Sequence, residues 1–142
     1  MVDEQLALRR AAGLSSRIAR LRAVLPPDRA AFLCDVDAQE RVSFNLFLAI
    51  QALVDLAAMI AGDEGWPVPE TMSAIFELLA GHAVLDRALA GRLSAAARMR
   101  ILLVHRYGDV DHGIVHDVVR EELPDLEAAV ASILRFVKAR GA

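Results

Sequence analysis

Hydrophobic residues recur every three or four positions along most of the chain, a spacing typical of amphipathic helices. The first such segment predicts a helix from near Asp3 to Val24, which the Pro26-Pro27 pair would end. Its apolar stripe consists of Leu6, Leu14, Ile18, Leu21 and Leu25. Asp28 can cap a short turn after it, and either Asp35 or Asp37 can cap a long second helix, which is predicted to continue to about residue 61.

Glycine and proline mark the remaining boundaries. Residues 62–69 (GDEGWPVP) are predicted to form a loop whose Trp66 packs against the helices. Three further helices are predicted, over about 69–81, 86–105 and 112–139. Asp111 is placed to cap the last helix, and Pro124 should kink or briefly interrupt it.

Four long helices, one or two short ones and short loops predict an all-α fold, an up-and-down four-helix bundle that occupies residues 1–142 as a single domain. The stretch 42–61 is about long enough to cross a bilayer. It contains Asn45, Gln51 and Asp55, however, and an Asp at mid-membrane costs about 2.5–3.5 kcal/mol. A central bundle helix is therefore the simpler interpretation.

Composition agrees with packed helices, because 56% of residues are hydrophobic and only 5% are aromatic. The lone cysteine, Cys34, excludes an intramolecular disulfide and is expected to be a small buried residue. The charged N-terminal segment lacks a hydrophobic signal core, so a cytoplasmic protein is expected. A net charge of −3 argues against nonspecific coating of nucleic acid, although arginines concentrate in the first quarter and carboxylates after residue 108. Solvated helix faces explain most such runs.

One helix position carries a charge where the pattern expects an apolar residue. A single row of the predicted helix 86–105 contains Leu89, Leu93, Ala97, Arg100 and Val104. A guanidinium on a packed face must be paired, reach the rim or bind an anionic ligand. A structural ion pair, for example with Asp55, and a phosphate-binding role both fit Arg100.

His105 follows Arg100 by five residues, which puts the two positions about 140° apart around an ideal helix. They can converge if the helix ends or bends near His105, or if a second copy of the chain supplies half of the site. Tyr107 would return to the face of Arg100 if the helix continued. Periodicity alone does not identify an enzyme here.

The string Arg100-x4-His105-x-Tyr107, followed by Asp109-Val110-Asp111, resembles the motif of the HepT-like branch of the HEPN superfamily. The resemblance extends to residues 44–57 (FNLFLAIQALVDLA), which are similar to the long second helix of that family. It also includes 67–79 and 84–86, in order and at fitting spacing. Roughly residues 35 to 135 take part.

The resemblance implies a metal-independent endoribonuclease that acts on tRNA or mRNA, the toxin of a type VII-like toxin–antitoxin pair. It implies His105 as general acid or base and Arg100 as the group that holds the scissile phosphate. A minimal nucleotidyltransferase antitoxin would transfer AMP onto Tyr107 and so neutralise the toxin. The expected partners are RNA, this antitoxin and a second copy in a homodimer. No cofactor, metal, membrane or DNA is expected.

Two alternatives remain. Family members commonly carry a small polar residue directly after the motif arginine, where this chain has Ile101, so a catalytically silent helical partner of a nucleotidyltransferase is the second interpretation. A helical dimerisation module, in which Arg100 only pairs at an interface, is the third. His112 and His116 lie four apart near Asp109, but two histidines are a weak metal signal, and exposed helix positions are expected for both.

Overall fold

The structure, a computed structural model, describes the backbone of residues 3–105 and 110–141 and the side chains of 3–99 and 110–140. Within these ranges the chain forms six α-helices and no strand. Their bounds are α1 Glu4–Val24, α2 Arg29–Leu33, α3 Val36–Asp63, α4 Ala74–Gly81, α5 Arg87–His105 and α6 His112–Gly141. The predicted all-α fold, four long helices with two short ones, is confirmed.

Contacts between the long helices show the up-and-down arrangement. The backbone N–H of Asp3 donates to Asp63 at 3.3 Å, and Arg17 donates to Asn45 at 2.9 Å, so α1 and α3 are antiparallel. α1 is likewise antiparallel to α6, because Arg22 pairs with Glu127 in the middle of α6, while Pro26, just beyond α1, contacts His116 at the start of α6. α3 therefore runs parallel to α6. α5 is antiparallel to both, because Arg87 at its start lines a cavity with Arg135, whereas Arg92 pairs with Asp125, nearer the start of α6.

Aspartates begin most of the helices, as the sequence predicts. Carboxylates of Asp3, Asp28, Asp35 and Asp111 accept from backbone N–H groups of the first turns of α1, α2, α3 and α6, at 2.9–3.1 Å. Asp35, rather than Asp37, caps α3. Each such bond satisfies an N–H group that the helix itself leaves unpaired, and typically contributes about 1 kcal/mol.

α3 is the central helix and packs against the other five. Its buried side chains include Leu46, Ile50, Leu53 and Ile60. By length and hydropathy α3 could cross a membrane, and more than half of its most apolar stretch is buried inside the bundle. The core that forms around it draws side chains from all six helices.

Three local expectations were wrong. α4 begins at Ala74, not near residue 69, because residues 66–69 are irregular and residues 70–73 form a bend and a turn before the helix. Cys34 is exposed, since it lies just beyond the last turn of α2, where the chain turns away from the core. A short break at Pro124 is also wrong, because α6 continues through it, with Leu123 and Leu126 buried on either side; a kink there stays a prediction.

Candidate functional site

The candidate site residues belong to one end of the bundle, which we call the motif end. It comprises the end of α5, the start of α6, α2 and the start of α3. Phe32 of α2 joins these elements, because its ring centroid lies 6.2 Å from that of His112 and 5.3 Å from that of His116. The opposite end, where α1 begins and α3 ends, is called the far end.

Arg100 and His105 lie on the last turns of α5, and His105 is the last residue of that helix. The side chains of Arg100, Ile101 and His105 lie outside the described residues, as does the whole of Tyr107. Backbone geometry still constrains the pair, because an α-helix separates positions five apart by about 7.5 Å along its axis and about 140° around it. The suggested ion pair of Arg100 with Asp55 also depends on a side chain outside the described residues. On its own helix, the Asp55 carboxylate accepts a hydrogen bond from Gln51 at 2.9 Å.

His116 is the main feature of this end that the sequence reasoning misjudged. It is fully buried, not exposed, and its Nε2 donates to the carbonyl oxygen of Pro26 at 2.7 Å. The spacing of apolar residues could have predicted its burial. Val119, Leu123 and Leu126 lie on the same helix face as His116 and are all buried. A histidine whose Nε2 is engaged with a carbonyl serves here to position the start of α6.

Arg29 crosses the first turns of α6. Its Nε lies 3.2 Å from the Asp117 carboxylate, and its guanidinium lies against Gly113. A Cβ added at Gly113 would lie 2.3 Å from Arg29 Nη2, so any larger residue there would displace the end of this flexible side chain. Together with the His116 bond, this contact holds α2 and α6 in a defined relation at the motif end.

Ion pairs between helices join the basic N-terminal quarter to the acidic C-terminal third. The two charged segments therefore do more than form solvated helix faces. Arg22 pairs with Glu127 and Arg29 with Asp117, linking α1 and α2 to α6. A third pair joins Arg92 of α5 to Asp125 at 2.9 Å. The arginines are about half exposed, so water and salt screen these pairs and each contributes little to stability.

Glu122 is a titratable group that no pattern in the sequence singles out. Burial, together with the nearby charges of Asp125 and Glu121, raises the pKa of its carboxyl to about 7. Its Oε2 is buried without a hydrogen-bond partner. No described contact brings Glu122 to the candidate site. Among the residues that the structure describes, no group of three histidines, cysteines or carboxylates is placed to hold a metal ion.

A bundle of four long helices, whose penultimate helix ends within an arginine–histidine–tyrosine string, defines a helical protein of the HEPN class. The chain belongs to the ribonuclease HepT-like family, whose profile matches residues 14–133 and so includes the whole string. The resemblance identified from the sequence is thereby confirmed.

Individual relatives agree. An RNase candidate of Archaeoglobus fulgidus is 32% identical over 97 residues, 68% of this chain and 67% of that protein. The mRNA nuclease HepT of Shewanella oneidensis is 29% identical over 100 residues, 70% of this chain and 75% of that protein. The solved structure of a tri-AMPylated Shewanella oneidensis HEPN toxin in complex with an MNT antitoxin is 27% identical, with a TM-score of 0.83 over 94% of this chain and 98% of that one. The fold also recurs in the cytosolic protein YutE of Bacillus subtilis, with a TM-score of 0.84 over 98% of this chain and 93% of that one, at 14% identity.

Proposed function

We propose that this chain is the RNA-cleaving toxin of a toxin–antitoxin pair whose antitoxin is a minimal nucleotidyltransferase. One observation carries the proposal. The family match includes Arg100, His105 and Tyr107, and the chain shares its fold along 94% of its length with a HEPN toxin that was solved tri-AMPylated and in complex with an MNT antitoxin.

The proposed cleavage is an internal transfer within RNA. The ribose 2′-oxygen attacks the adjacent phosphorus, the bond from phosphorus to the 5′-oxygen breaks, and a 2′,3′-cyclic phosphate forms. His105 acts as the base that accepts the 2′-hydroxyl proton or as the acid that protonates the leaving oxygen, and its ordinary pKa range suits both roles. Arg100 holds the phosphate and offsets the negative charge that grows on it. No step requires a metal ion.

The geometry of α5 favours a site that two chains share. Arg100 lies within the helix and His105 at its end, so the backbone separates the two positions by about 140°. One phosphate can meet both groups if Arg100 comes from one chain and His105 from a second. A homodimer with the two α5 ends facing one another meets this requirement, and a C2 axis would then create two equivalent sites.

Tyr107 is proposed as the point of control. Its phenolic oxygen would attack the α-phosphorus of ATP, forming a bond to AMP and releasing pyrophosphate. The attached phosphates would place negative charge and bulk beside Arg100 and His105 and so exclude the RNA backbone.

Cleavage of total tRNA and of mRNA by the purified protein tests the nuclease. We expect cleavage that persists in excess chelator, yields 2′,3′-cyclic phosphate ends and is lost in His105→Ala. The matched control is His82→Ala, because His82 is an exposed histidine remote from the motif end. Absence of cleavage at any protein concentration, together with ordinary cell growth on overexpression, contradicts the proposal.

Ile101 favours a second candidate, a silent partner that the nucleotidyltransferase binds and modifies. Mass spectrometry after coexpression with the nucleotidyltransferase separates the cases. Addition of AMP that is absent in Tyr107→Phe, combined with no nuclease activity before modification, identifies the silent partner. AMP addition that abolishes a measurable nuclease activity identifies the toxin.

A further inference from the structure

An apolar surface lies exposed at the corner between α2 and α3. Leu33, Val36 and Phe44 are 44%, 62% and 61% exposed, three of the six large hydrophobic side chains that are exposed in the described part of the chain. Asp37 and Glu40 lie among them. We call these five residues the corner surface. Side chains of this size are normally exposed singly, and a group of them on one surface is typical of an interface.

The corner is rigidly built. Gln39 is buried, and its amide donates to the carbonyl oxygens of Phe32 at 3.0 Å and Leu33 at 3.2 Å, which satisfies the end of α2. Asp35 caps the start of α3 through Ala38 N–H at 3.0 Å. A surface fixed in this way loses little conformational freedom when a partner binds to it.

The four α3 members of the corner surface form one stripe, because positions 36, 37, 40 and 44 fall within an arc of about 100°. Acidic groups dominate around the stripe, where Asp35, Asp37 and Glu40 are opposed by Arg41. Such a surface repels the phosphates of RNA. It also disfavours contact with the same surface of a second copy, because two surfaces of net negative charge repel one another.

The location connects this surface with the control of the protein. Phe32, adjacent to Leu33, contacts His112, and Tyr107 precedes His112 by five residues. Five residues of chain span at most about 18 Å. A protein that modifies Tyr107 must therefore approach the end of the bundle to which the corner surface belongs.

We infer that the corner surface is the docking site of the nucleotidyltransferase, which meets it with apolar side chains flanked by lysine or arginine. The inference rests on the proposed function, since it assigns a surface to the partner named there. The net acidic charge of the surface argues against RNA and against a second copy, and its place at the end of the bundle that leads to Tyr107 fits a protein that must reach this tyrosine.

Cys34 provides a built-in probe, because it is exposed at the corner and is the only cysteine of the chain. The rate of its alkylation by a maleimide is measured by mass spectrometry with and without the nucleotidyltransferase from the adjacent reading frame. We expect at least a tenfold slower reaction in the complex. The control is a Cys34→Ser, Val68→Cys chain, because Val68 is similarly exposed, at 55%, in the loop that follows the far end of α3. Its reaction rate should not change.

Affinity measurements on variants supply the second arm. Asp37→Lys with Glu40→Lys, and Val36→Ser with Leu33→Ser, should each weaken binding of the nucleotidyltransferase at least tenfold, with unchanged helix content and dimer mass. Glu77→Lys and Val68→Ser, which change exposed residues outside the corner surface, should leave the affinity within a factor of two. Raising the ionic strength should weaken binding to the original chain more than binding to the charge-reversed variant.

Three other outcomes would overturn the inference, and each shows whether the docking site alone or also the proposed partner is wrong. Binding of the nucleotidyltransferase with Cys34 unprotected removes the docking site and leaves the proposed function intact. Protection of Cys34 by RNA alone, or by raising the concentration of this chain alone, assigns the surface to RNA or to the homodimer instead. Failure of the unaltered chain to bind the nucleotidyltransferase by any measurement contradicts both the inference and the partner in the proposed function.

Discussion

His116 Nε2 donates to the carbonyl oxygen of Pro26 at 2.7 Å, from a side chain with no exposed surface. The two residues are 90 positions apart, and their bond fixes the start of α6 against the segment that joins α1 to α2. The segment carrying the candidate catalytic residues leads directly into this part of α6. The bond therefore belongs to the framework that positions the site.

Replacement of His116 by alanine should lower the free energy of unfolding by about 2–4 kcal/mol, because it removes buried ring packing against Phe32 and leaves the Pro26 carbonyl without its donor. Urea unfolding followed by Trp66 fluorescence measures the change. Ile114→Ala, at a position 56% exposed on the same helix, should change it by less than about 0.5 kcal/mol. An unchanged unfolding midpoint for His116→Ala would show that the bond is unimportant for stability.

Glu122 should make stability depend on pH. The unfolded carboxyl, with its ordinary pKa of 4.5, ionises above that pH, whereas the folded one keeps its proton until its raised pKa of about 7. Unfolding therefore releases a proton between these values, and stability from this group falls as the pH rises from about 4.5 to about 7, by at most about 3 kcal/mol.

Glu122→Gln removes this group from the titration and tests the assignment. The variant should match the original chain near pH 4.5 and exceed it in stability at pH 8. Urea unfolding of both proteins across this range gives the difference, which isolates Glu122 from other titrating groups. Glu77→Gln, at an exposed site, should show no such trend. A stability difference that is flat with pH would falsify the raised pKa.

Trp66 should stabilise the fold without taking part in RNA cleavage. Its ring stacks on His82, with centroids 3.8 Å apart, and packs against Phe136 at 5.8 Å, beyond the far end of α3. Trp66→Ala should cost about 2–3 kcal/mol of unfolding free energy. Unfolding of this variant is followed by circular dichroism, because Trp66 is the only tryptophan and the variant lacks its fluorescence. A loss of RNA cleavage at temperatures where the variant is fully folded would contradict the structural role.

Mixing two inactive variants tests the shared site. If Arg100 and His105 act across a dimer, Arg100→Ala and His105→Ala chains, mixed and allowed to exchange subunits, regain activity. One site of each mixed dimer is intact, so about a quarter of the original activity should return. Each variant alone stays inactive. If both residues act within one chain, the mixture remains as inactive as its components.

Much of the fold could be predicted because helix formation depends on local patterns. Leu14, Ile18 and Leu21 show their burial through spacing alone, and Asp28 and Asp111 show their capping roles through their position before a helical segment. Such effects act within a few residues of chain. The start of α4 was misplaced because a proline is common both in an irregular segment and at the first position of a helix, so Pro69 does not distinguish the two.

The candidate site could be predicted only in part. Arg100 stands out as a charge in an apolar row, and its separation from His105 follows from helix geometry. The nuclease chemistry assigned to them and to Tyr107 came from the family resemblance, since no spacing in the chain requires it. The corner surface escaped notice because exposed and buried apolar residues look alike in a sequence.

By itself, the sequence determined the helices, most of their caps, the bundle class and the family, because these depend on neighbouring residues and on a motif of fixed spacing. Only the tertiary structure decided that His116 is buried and bonded to Pro26, that Cys34 is exposed, and that burial raises the pKa of Glu122. These properties depend on which distant segments exclude water from a side chain. Contacts between residues 90 positions apart decide that, and no local pattern records them.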